Sequence, residues 1–136
     1  MIIALAGHGT SVGYATTVAP EEKAKSRRWT AARFEGVGEA CTTDPPFSFT
    51  FGGQSSGQLL KASNPARASR KLDDCRVEHT LTATDPQSGL VVRCVAVEYL
   101  DYPTVEWTVY FKNTGLPVTI AERPGAVVIV YQRVTL

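Results

Sequence analysis

The chain has few cysteines, few histidines and no excess of charge of either sign. Its 136 residues include three cysteines and two histidines, and 14 Lys and Arg against 13 Asp and Glu give a formal net charge of +1. A net charge so close to zero argues against binding to nucleic acid or to an anionic membrane surface. A run of about 18 apolar residues is absent, so we expect no transmembrane helix. The chain is also shorter than the roughly 200 residues of the smallest (β/α)8 barrels, which favours one ordinary globular domain.

The few cysteines and histidines also limit metal and disulfide chemistry. Cys41, Cys75 and Cys94 form no closely spaced pair, and the histidines are His8 and His79. An odd number of cysteines cannot make a closed disulfide framework, and a structural zinc site normally needs four closely spaced ligands. Glycine-rich phosphate-binding loops are absent as well. We therefore predict no metal site and no cofactor, and each cysteine is interpreted as a small buried residue or an incidental thiol.

The composition divides the chain into a leader and one domain. Residues 1–19 are small and mildly apolar and resemble the end of a secretory signal, but they lack a positively charged start and an unbroken apolar core. We interpret 1–19 as a leader or disordered segment, with a parent enzyme that is secreted or periplasmic. Residues 20–136 are then expected to form a single domain.

That domain begins with one helix. Residues 20–34 place Pro20 in the first turn, acidic residues at the positive end and basic residues towards the negative end. The apolar face of this helix is thin and consists of Trp29, Ala32 and Phe34. A helix with so little apolar surface needs a partner to pack against.

The remainder of the domain has the pattern of short strands. Alternating or β-rich runs separated by Gly, Pro, Asn and Asp predict strands at 47–51, 77–84, 90–100, 104–112, 118–121 and 126–134. Residues 54–70 are polar and are predicted as a loop with a turn of helix at Leu59 and Leu60. Strands at this spacing, with few helices between them, predict an all-β fold, an antiparallel β-sandwich with one short N-terminal helix.

The hairpin around residues 85–89 allows a prediction of register. If Asp85 faces Gly89, paired residue numbers sum to 174, which sets His79 opposite Val95 and Cys75 opposite Tyr99. Val77 then faces Val97, and Ala83 faces Val91. This register excludes a Cys75–Cys94 bridge, because bonded Cα atoms lie within about 7 Å.

Two features are candidates for binding. Arg70, Asp73, Asp74 and Arg76 form the densest charge cluster, and Tyr102 lies in an Asp-Tyr-Pro turn that favours an exposed ring. Carboxylates, guanidinium groups and an aromatic ring are the groups that recognise sugars, whereas the alternative for the cluster is a solvated loop with local ion pairs of little energy.

Two further residues are assigned to the core. Trp107 shares its face with three apolar neighbours and is predicted to be buried. His79 is interpreted as a core or edge histidine with one hydrogen bond, because no nucleophile is placed beside it in the sequence.

Three segments carry a resemblance to a known family: PFSFTFGG, RKLDDCRVEHTLTATDP and SGLVVRCVAVEYLDYPTVEWTVYFKNTG. In this order, over about half of the chain, they resemble the amino-terminal β-sandwich of bacterial α-galactosidases related to glycoside hydrolase family 36. The resemblance ends after Gly115. In that family the catalytic aspartates lie on a barrel that follows the sandwich, and none of them has a counterpart here.

The resemblance implies an accessory domain that is non-catalytic alone. We expect it to bind a galactoside-like carbohydrate through Tyr102, Arg70, Asp73, Asp74 and Arg76, and to form a homo-oligomer through the apolar face that would meet a barrel. One alternative is a small stand-alone glycoside hydrolase. It would use Asp73 or Asp74 together with Glu98 or Glu106, held about 5 to 10 Å apart. The other alternative is a structural interaction module that binds no sugar.

Overall fold

A computed structural model describes residues 17–36, 45–115 and 127–135 of the chain. These residues form two antiparallel sheets, two α-helices and a π-helical turn. The elements in chain order are α1 (Pro20–Thr30), the π turn (Ala31–Glu35), β1 (Thr50–Phe51), β2 (Gln54–Ser55), α2 (Ser56–Ala62), β3 (Ala66–Lys71), β4 (Arg76–Thr84), β5 (Leu90–Tyr99), β6 (Thr104–Asn113) and β7 (Val127–Thr135). Most of the predicted leader, Cys41 and the predicted strand at 118–121 lie outside the described residues.

The larger sheet is an antiparallel meander in which the five strands β3 to β7 lie side by side in chain order. The smaller sheet pairs β1 with β2, and the phenylalanines of this region pack against the core of the larger sheet. Phe49 meets Phe111 of β6 edge to face, with ring centroids 4.9 Å apart. The predicted all-β antiparallel class with a short N-terminal helix is confirmed, and the second layer of this sandwich-like arrangement includes the helices.

Helix α1 and the π turn together cover the predicted helix at 20–34. The π turn ends at Gly36, whose positive φ of 70° lets its N–H bond back to the carbonyl of Ala31 at 3.0 Å. The predicted apolar face is confirmed, because Ala32 and Phe34 are buried and the Trp29 ring stacks on Trp107 at 5.8 Å. This face attaches the helix to the inner side of the larger sheet.

The core lies between the helical layer and the inner face of the larger sheet. Alternate residues of β4, β5 and β6 supply it, as expected for a sheet with one face on a core. They are Leu81, Ala83, Leu90, Val92, Cys94, Ala96, Val105, Trp107 and Val109, joined by Phe34 and Leu60. The prediction that Trp107 is a core residue is confirmed.

The prediction of a loop at 54–70 is wrong, because this segment contains β2, α2 and most of β3. The helical turn expected at Leu59 and Leu60 is a real helix whose two leucines are buried. Strand β3 was missed because all six of its residues are exposed, so no apolar alternation marks it. The strand predicted at 47–51 is shorter than expected, since only Thr50–Phe51 pairs with Gln54–Ser55, around two glycines of positive φ.

The predicted register of the central hairpin is wrong by one residue. Asp85 donates its N–H to Leu90 at 2.8 Å and accepts from the N–H of Gly89, which adopts a φ of 73°. Paired residue numbers therefore sum to 175, which sets His79 opposite Ala96 rather than Val95. Ala83 now faces Val92, Val77 faces Glu98, and Arg76 rather than Cys75 faces Tyr99. The one-residue slip turns the even-numbered residues of β5 inwards.

The sequence pattern could not decide this register because β5 has apolar residues of both parities. The cysteines behave as expected in the new register: Cys94 is buried, Cys75 is exposed, and both are free thiols. Among the described residues, no helix is long and apolar enough to cross a membrane.

Candidate functional site

Two turns at one end of the larger sheet enclose a cleft of about 750 Å³. Residues 72–75 join β3 to β4, and residues 100–103 join β5 to β6; alternate turns of a meander fall at the same end. The N–H of Leu100 donates to the carbonyl of Cys75 at 2.8 Å and ties the two turns together. The cleft is lined by Asp73, Asp74, Cys75, Arg76, Tyr99, Asp101, Tyr102 and Thr104. We call it the end cleft.

An ion pair fixes the wall that residues 72–76 contribute. The Asp73 Oδ2 atom accepts from Arg76 Nε at 2.7 Å, while its Oδ1 accepts from the backbone N–H of Cys75 at 2.9 Å. The hydrogen bond from Arg76 lowers the pKa of the Asp73 carboxyl below its usual range, and the Cys75 N–H adds to the effect. Both charged groups are thus held in a defined direction at the rim of the cleft.

The opposite wall carries the exposed aromatic ring. Tyr102 is 57% exposed, which confirms the prediction of an exposed ring in its turn. Asp74 and Asp101 are exposed, and Asp74 also pairs with Lys71 at 2.7 Å. Tyr99, half-buried behind them, donates its hydroxyl to Glu106 Oε1 at 2.7 Å.

Four of the five predicted binding residues line the end cleft, and Arg70 does not. Arg70 lies on β3 directly opposite Glu78 and binds both of its carboxylate oxygens, at 2.7 and 3.2 Å. Its guanidinium lowers the pKa of the Glu78 carboxyl. Arg70 therefore belongs to a cross-strand ion pair on the outer face of the sheet.

The sequence did not single out Tyr99, Asp101 and Thr104 as members of one site with the 72–76 turn. The β4–β5 hairpin carried their signal, because the predicted register already set Cys75 opposite Tyr99. In the structure Arg76 pairs with Tyr99, which brings the 72–76 turn beside residues 100–104.

A second group of polar side chains lies on the inner side of the sheet. Ser69 Oγ is 2.8 Å from His79 Nδ1, and His79 Nε2 is 3.1 Å from Glu98 Oε2. The same Glu98 oxygen accepts from Arg27 Nη1 at 2.7 Å. We call these four residues the buried polar chain. His79 has two side-chain partners and a serine beside it, so the expectation of one hydrogen bond and no nearby nucleophile is wrong.

The fold explains why the buried polar chain forms. His79 and Glu98 occupy inward positions of β4 and β5 in the observed register, and neither residue is exposed by more than 1%. The π turn covers the imidazole, since the Phe34 ring stacks on it at 5.9 Å and Glu35 Oε1 lies 3.7 Å from Nδ1. Buried polar groups of this kind need partners, which α1 and β3 supply from either side.

The chain was compared with family models, with curated proteins and with solved structures. None of them matches it.

The carboxylate pairs of the hydrolase alternative, Asp73 or Asp74 with Glu98 or Glu106, are not brought together in the end cleft. Glu98 is buried on the inner side with Arg27 and His79, whereas Glu106 is half-buried on the outer face. Neither lines the cleft that contains Asp73 and Asp74. Within the described ranges, no group of three or more His, Cys, Asp and Glu side chains is placed to hold a metal ion.

Proposed function

We propose that this domain is an accessory β-domain, non-catalytic towards glycosides, whose end cleft binds a neutral, galactoside-like sugar. The observation that carries the proposal is the position of the exposed Tyr102 ring in one cleft with the carboxylates of Asp73, Asp74 and Asp101. The resemblance of residues 47–115 to the accessory sandwich of α-galactosidases related to glycoside hydrolase family 36 supports the galactoside class of ligand.

The groups in the end cleft suit the two faces of a pyranose. The apolar C–H face of a sugar packs on an aromatic ring, and such a ring supplies contact area at little cost in conformational entropy. Hydroxyl groups of the sugar donate to carboxylates and accept from a guanidinium, so Asp74 and Arg76 serve as complementary partners. The Asp73–Arg76 ion pair holds the guanidinium in place before a ligand arrives.

The local charge favours a ligand without negative charge. Three carboxylates and a single guanidinium line the end cleft. An anionic ligand such as a sulfated or phosphorylated sugar would be repelled by the surplus of carboxylates. A neutral polyol meets no such repulsion, so we expect binding of uncharged sugars to be weak but specific.

Isothermal titration calorimetry with galactose, melibiose and raffinose tests this proposal. We expect saturable binding to the full chain that the Tyr102→Ala substitution abolishes, since the stacking surface is removed. Tyr102→Phe is the matched control, because it keeps the ring and should keep most of the affinity. Equal binding by the Tyr102→Ala chain, or no binding of any of the three sugars to folded protein, would overturn the proposal.

The geometry favours binding over glycoside hydrolysis. Hydrolysis needs two carboxyl groups on either side of one glycosidic bond, at a separation of about 5 to 10 Å. Glu98 is committed to Arg27 and His79 beneath the helical layer instead. Full retention of any glycosidase activity in an Asp73→Asn, Asp74→Asn double variant would remove the hydrolase alternative that relies on these residues.

We also propose that the domain self-associates through its outer sheet face. Val91, Val95 and Val97 lie on that face of β5 and are half-buried. Light scattering over a wide range of protein concentration measures the association. We expect a dimer that the Val95→Lys substitution weakens, and a monomer at every concentration would contradict the proposal.

A further inference from the structure

The buried polar chain has the arrangement of an activated nucleophile. A hydroxyl, an imidazole and a carboxylate follow one another at 2.8 and 3.1 Å, from Ser69 through His79 to Glu98. These separations fall within the range of about 2.6 to 3.2 Å over which a base takes a proton from a nucleophile and a third group orients the base. The glycan-binding proposal uses none of these three residues.

The exposure of the three residues matches such chemistry, because the residue with the hydroxyl is exposed while the base and the carboxylate are buried. Ser69 is an exposed residue on the edge strand β3, whereas His79 and Glu98 are fully buried beneath it. Solvent therefore reaches Ser69, whose hydroxyl makes a part-buried contact with His79. The imidazole is shielded from water and held by Phe34 stacked on its ring.

The hydrogen bonds are consistent with one tautomer of the neutral imidazole. If Nε2 carries the proton and donates to Glu98, Nδ1 is an acceptor for the Ser69 hydroxyl. When Nδ1 takes that proton, the resulting imidazolium lies between two carboxylates, because Glu35 Oε1 is 3.7 Å away on the Nδ1 side. While the imidazole is neutral, Arg27 provides the positive charge that the buried Glu98 carboxylate requires.

The backbone N–H groups of the edge strand β3 are candidate donors for a developing oxyanion. Strand β3 is the edge strand of its sheet, so its alternate N–H groups point away from β4. Either the N–H of Ser69 or those of both its neighbours must face this free edge. Arg67 projects on the same side of β3, about 7 Å along the strand. Preorganised donors beside the nucleophile are the main stabilising groups in acyl transfer.

From this geometry we propose that Ser69 and His79 form a second site that hydrolyses carboxylic esters of short acyl groups, with Glu98 as the positioning residue. This site is independent of the end cleft. Every residue of β3 is exposed, so little apolar surface is available to hold a long acyl chain.

The reaction balances without any cofactor. Ser69 Oγ attacks the ester carbonyl carbon as His79 Nδ1 takes the hydroxyl proton, and the bond from that carbon to the alcohol oxygen breaks. The proton passes from Nδ1 to the departing alcohol, which leaves an acyl group on Ser69. Water then attacks the acyl carbon and gives a proton to Nδ1. The bond from that carbon to Ser69 Oγ breaks, which releases the acid, and Nδ1 returns the proton to Oγ.

Hydrolysis of 4-nitrophenyl acetate by the full chain tests the proposal, in a Cys41→Ser, Cys75→Ser background that removes the Cys41 thiol and the exposed Cys75 thiol. We expect a rate about 100-fold above that of the Ser69→Ala variant, the lower end of what a positioned general base contributes. Ser48→Ala, which removes an exposed serine elsewhere, should leave the rate unchanged. Equal rates for the Ser69→Ala variant and its parent would overturn the proposal.

Two further measurements separate catalysis from structure. A fluorophosphonate probe should add its mass to the peptide that contains Ser69, and attachment elsewhere would contradict the assignment. Glu98→Gln should lower kcat and leave KM unchanged, with part of kcat regained in Glu98→Asp; a change confined to KM would exclude a positioning role. Sugar binding by the Ser69→Ala variant should be intact, so this proposal and the end-cleft proposal can fail separately.

Discussion

The end cleft and the buried polar chain use the same kinds of charged side chain in opposite surroundings. At the end cleft, Arg76 pairs with Asp73, and Asp74 pairs with Lys71 outside the lining. The partners of each pair are three residues apart and exposed. The buried polar chain joins Arg27, Ser69, His79 and Glu98, which lie on four different elements. One region is local and solvated, whereas the other is long-range and has the buried His79 and Glu98 at its centre.

The difference predicts how the two regions contribute to stability and reactivity. Exposed ion pairs are typically worth less than about 1 kcal/mol, because water and salt compete for both partners. A buried charge that loses its partner cannot turn to water, so the whole cost of its burial appears in the free energy of unfolding. Substitutions in the two regions should therefore change the free energy of unfolding by very different amounts, although the hydrogen-bond distances are similar.

The largest contrast is expected for the two described cysteines, since Cys75 lines the end cleft and Cys94 lies in the core. Burial raises the pKa of the Cys94 thiol from 9.0 to about 12, so its thiolate fraction near neutral pH falls roughly a thousandfold. In a Cys41→Ser variant, a disulfide reagent should label Cys75 rapidly and Cys94 only on unfolding. Labelling of Cys94 in folded protein at a comparable rate would refute the assignment of the core.

The next largest effect is expected at Glu98. Glu98→Ala leaves the buried His79 Nε2 without its acceptor, whereas Arg27, with a side chain 56% exposed, can turn to water. The free energy of unfolding should fall by about 1 to 3 kcal/mol. Urea denaturation of the variant measures this loss. The exposed Asp74→Ala is the matched control, and a loss of equal size there would show that burial is not the cause.

A smaller effect is expected at Asp85, in the turn between β4 and β5. Its carboxylate accepts from the Ser88 hydroxyl and from the N–H groups of Ser88 and Gln87, and the hydroxyl contact is the main cause of its lowered pKa. Asp85→Ala should cost about 1 to 2 kcal/mol at neutral pH.

The pH dependence of the Asp85 contribution has a definite sign. Because the pKa of the folded state lies below the value of about 3.9 in the unfolded chain, the contribution is present above that value and lost as pH falls through the folded pKa. Guanidinium denaturation at pH 7 and pH 3 should therefore show a smaller difference between wild type and Asp85→Ala at pH 3. Asp85→Asn, which keeps one acceptor, is the milder control, and a difference that does not change with pH would contradict the prediction.

The smallest effect is expected for Asp73→Ala at the end cleft. Both side chains of the Asp73–Arg76 pair are more than two-fifths exposed, so the melting temperature should change less than in either preceding variant. Calorimetry at low and high salt measures this, and the small difference should shrink further in salt. A loss as large as that of Glu98→Ala would mean that the cleft is a structural centre rather than a solvated rim.

The local features of the fold could be predicted from the sequence. Helix α1 follows from its Pro, its charge order and the spacing of Trp29, Ala32 and Phe34. Strand β6 follows from the alternation of Val105, Trp107 and Val109 with polar residues. The cluster at 70–76 and the exposed Tyr102 were also found, because each depends on neighbours only a few positions away.

The non-local features could not be predicted from the sequence, for reasons that particular residues show. An exposed edge strand such as β3 has no apolar pattern, so β3 was missed. The hydrogen bond between Ser69 and His79 was missed with it. The register of the central hairpin depends on a turn that holds Gly89 at positive φ, and β5 is apolar on both faces. Without that register, Glu98 could not be assigned to the inner side of the sheet. The buried polar chain forms only because Glu98 points inwards.

The basic edge of the larger sheet limits how copies of this chain can meet. Strand β3 carries Arg67, Arg70 and Lys71 along six exposed residues. A second copy that paired with this edge in antiparallel fashion would bring those cations against their own counterparts, and like charges across paired strands oppose the pairing. The same row of cations that leaves β3 without an apolar pattern thus opposes edge-to-edge growth of the sheet at this strand.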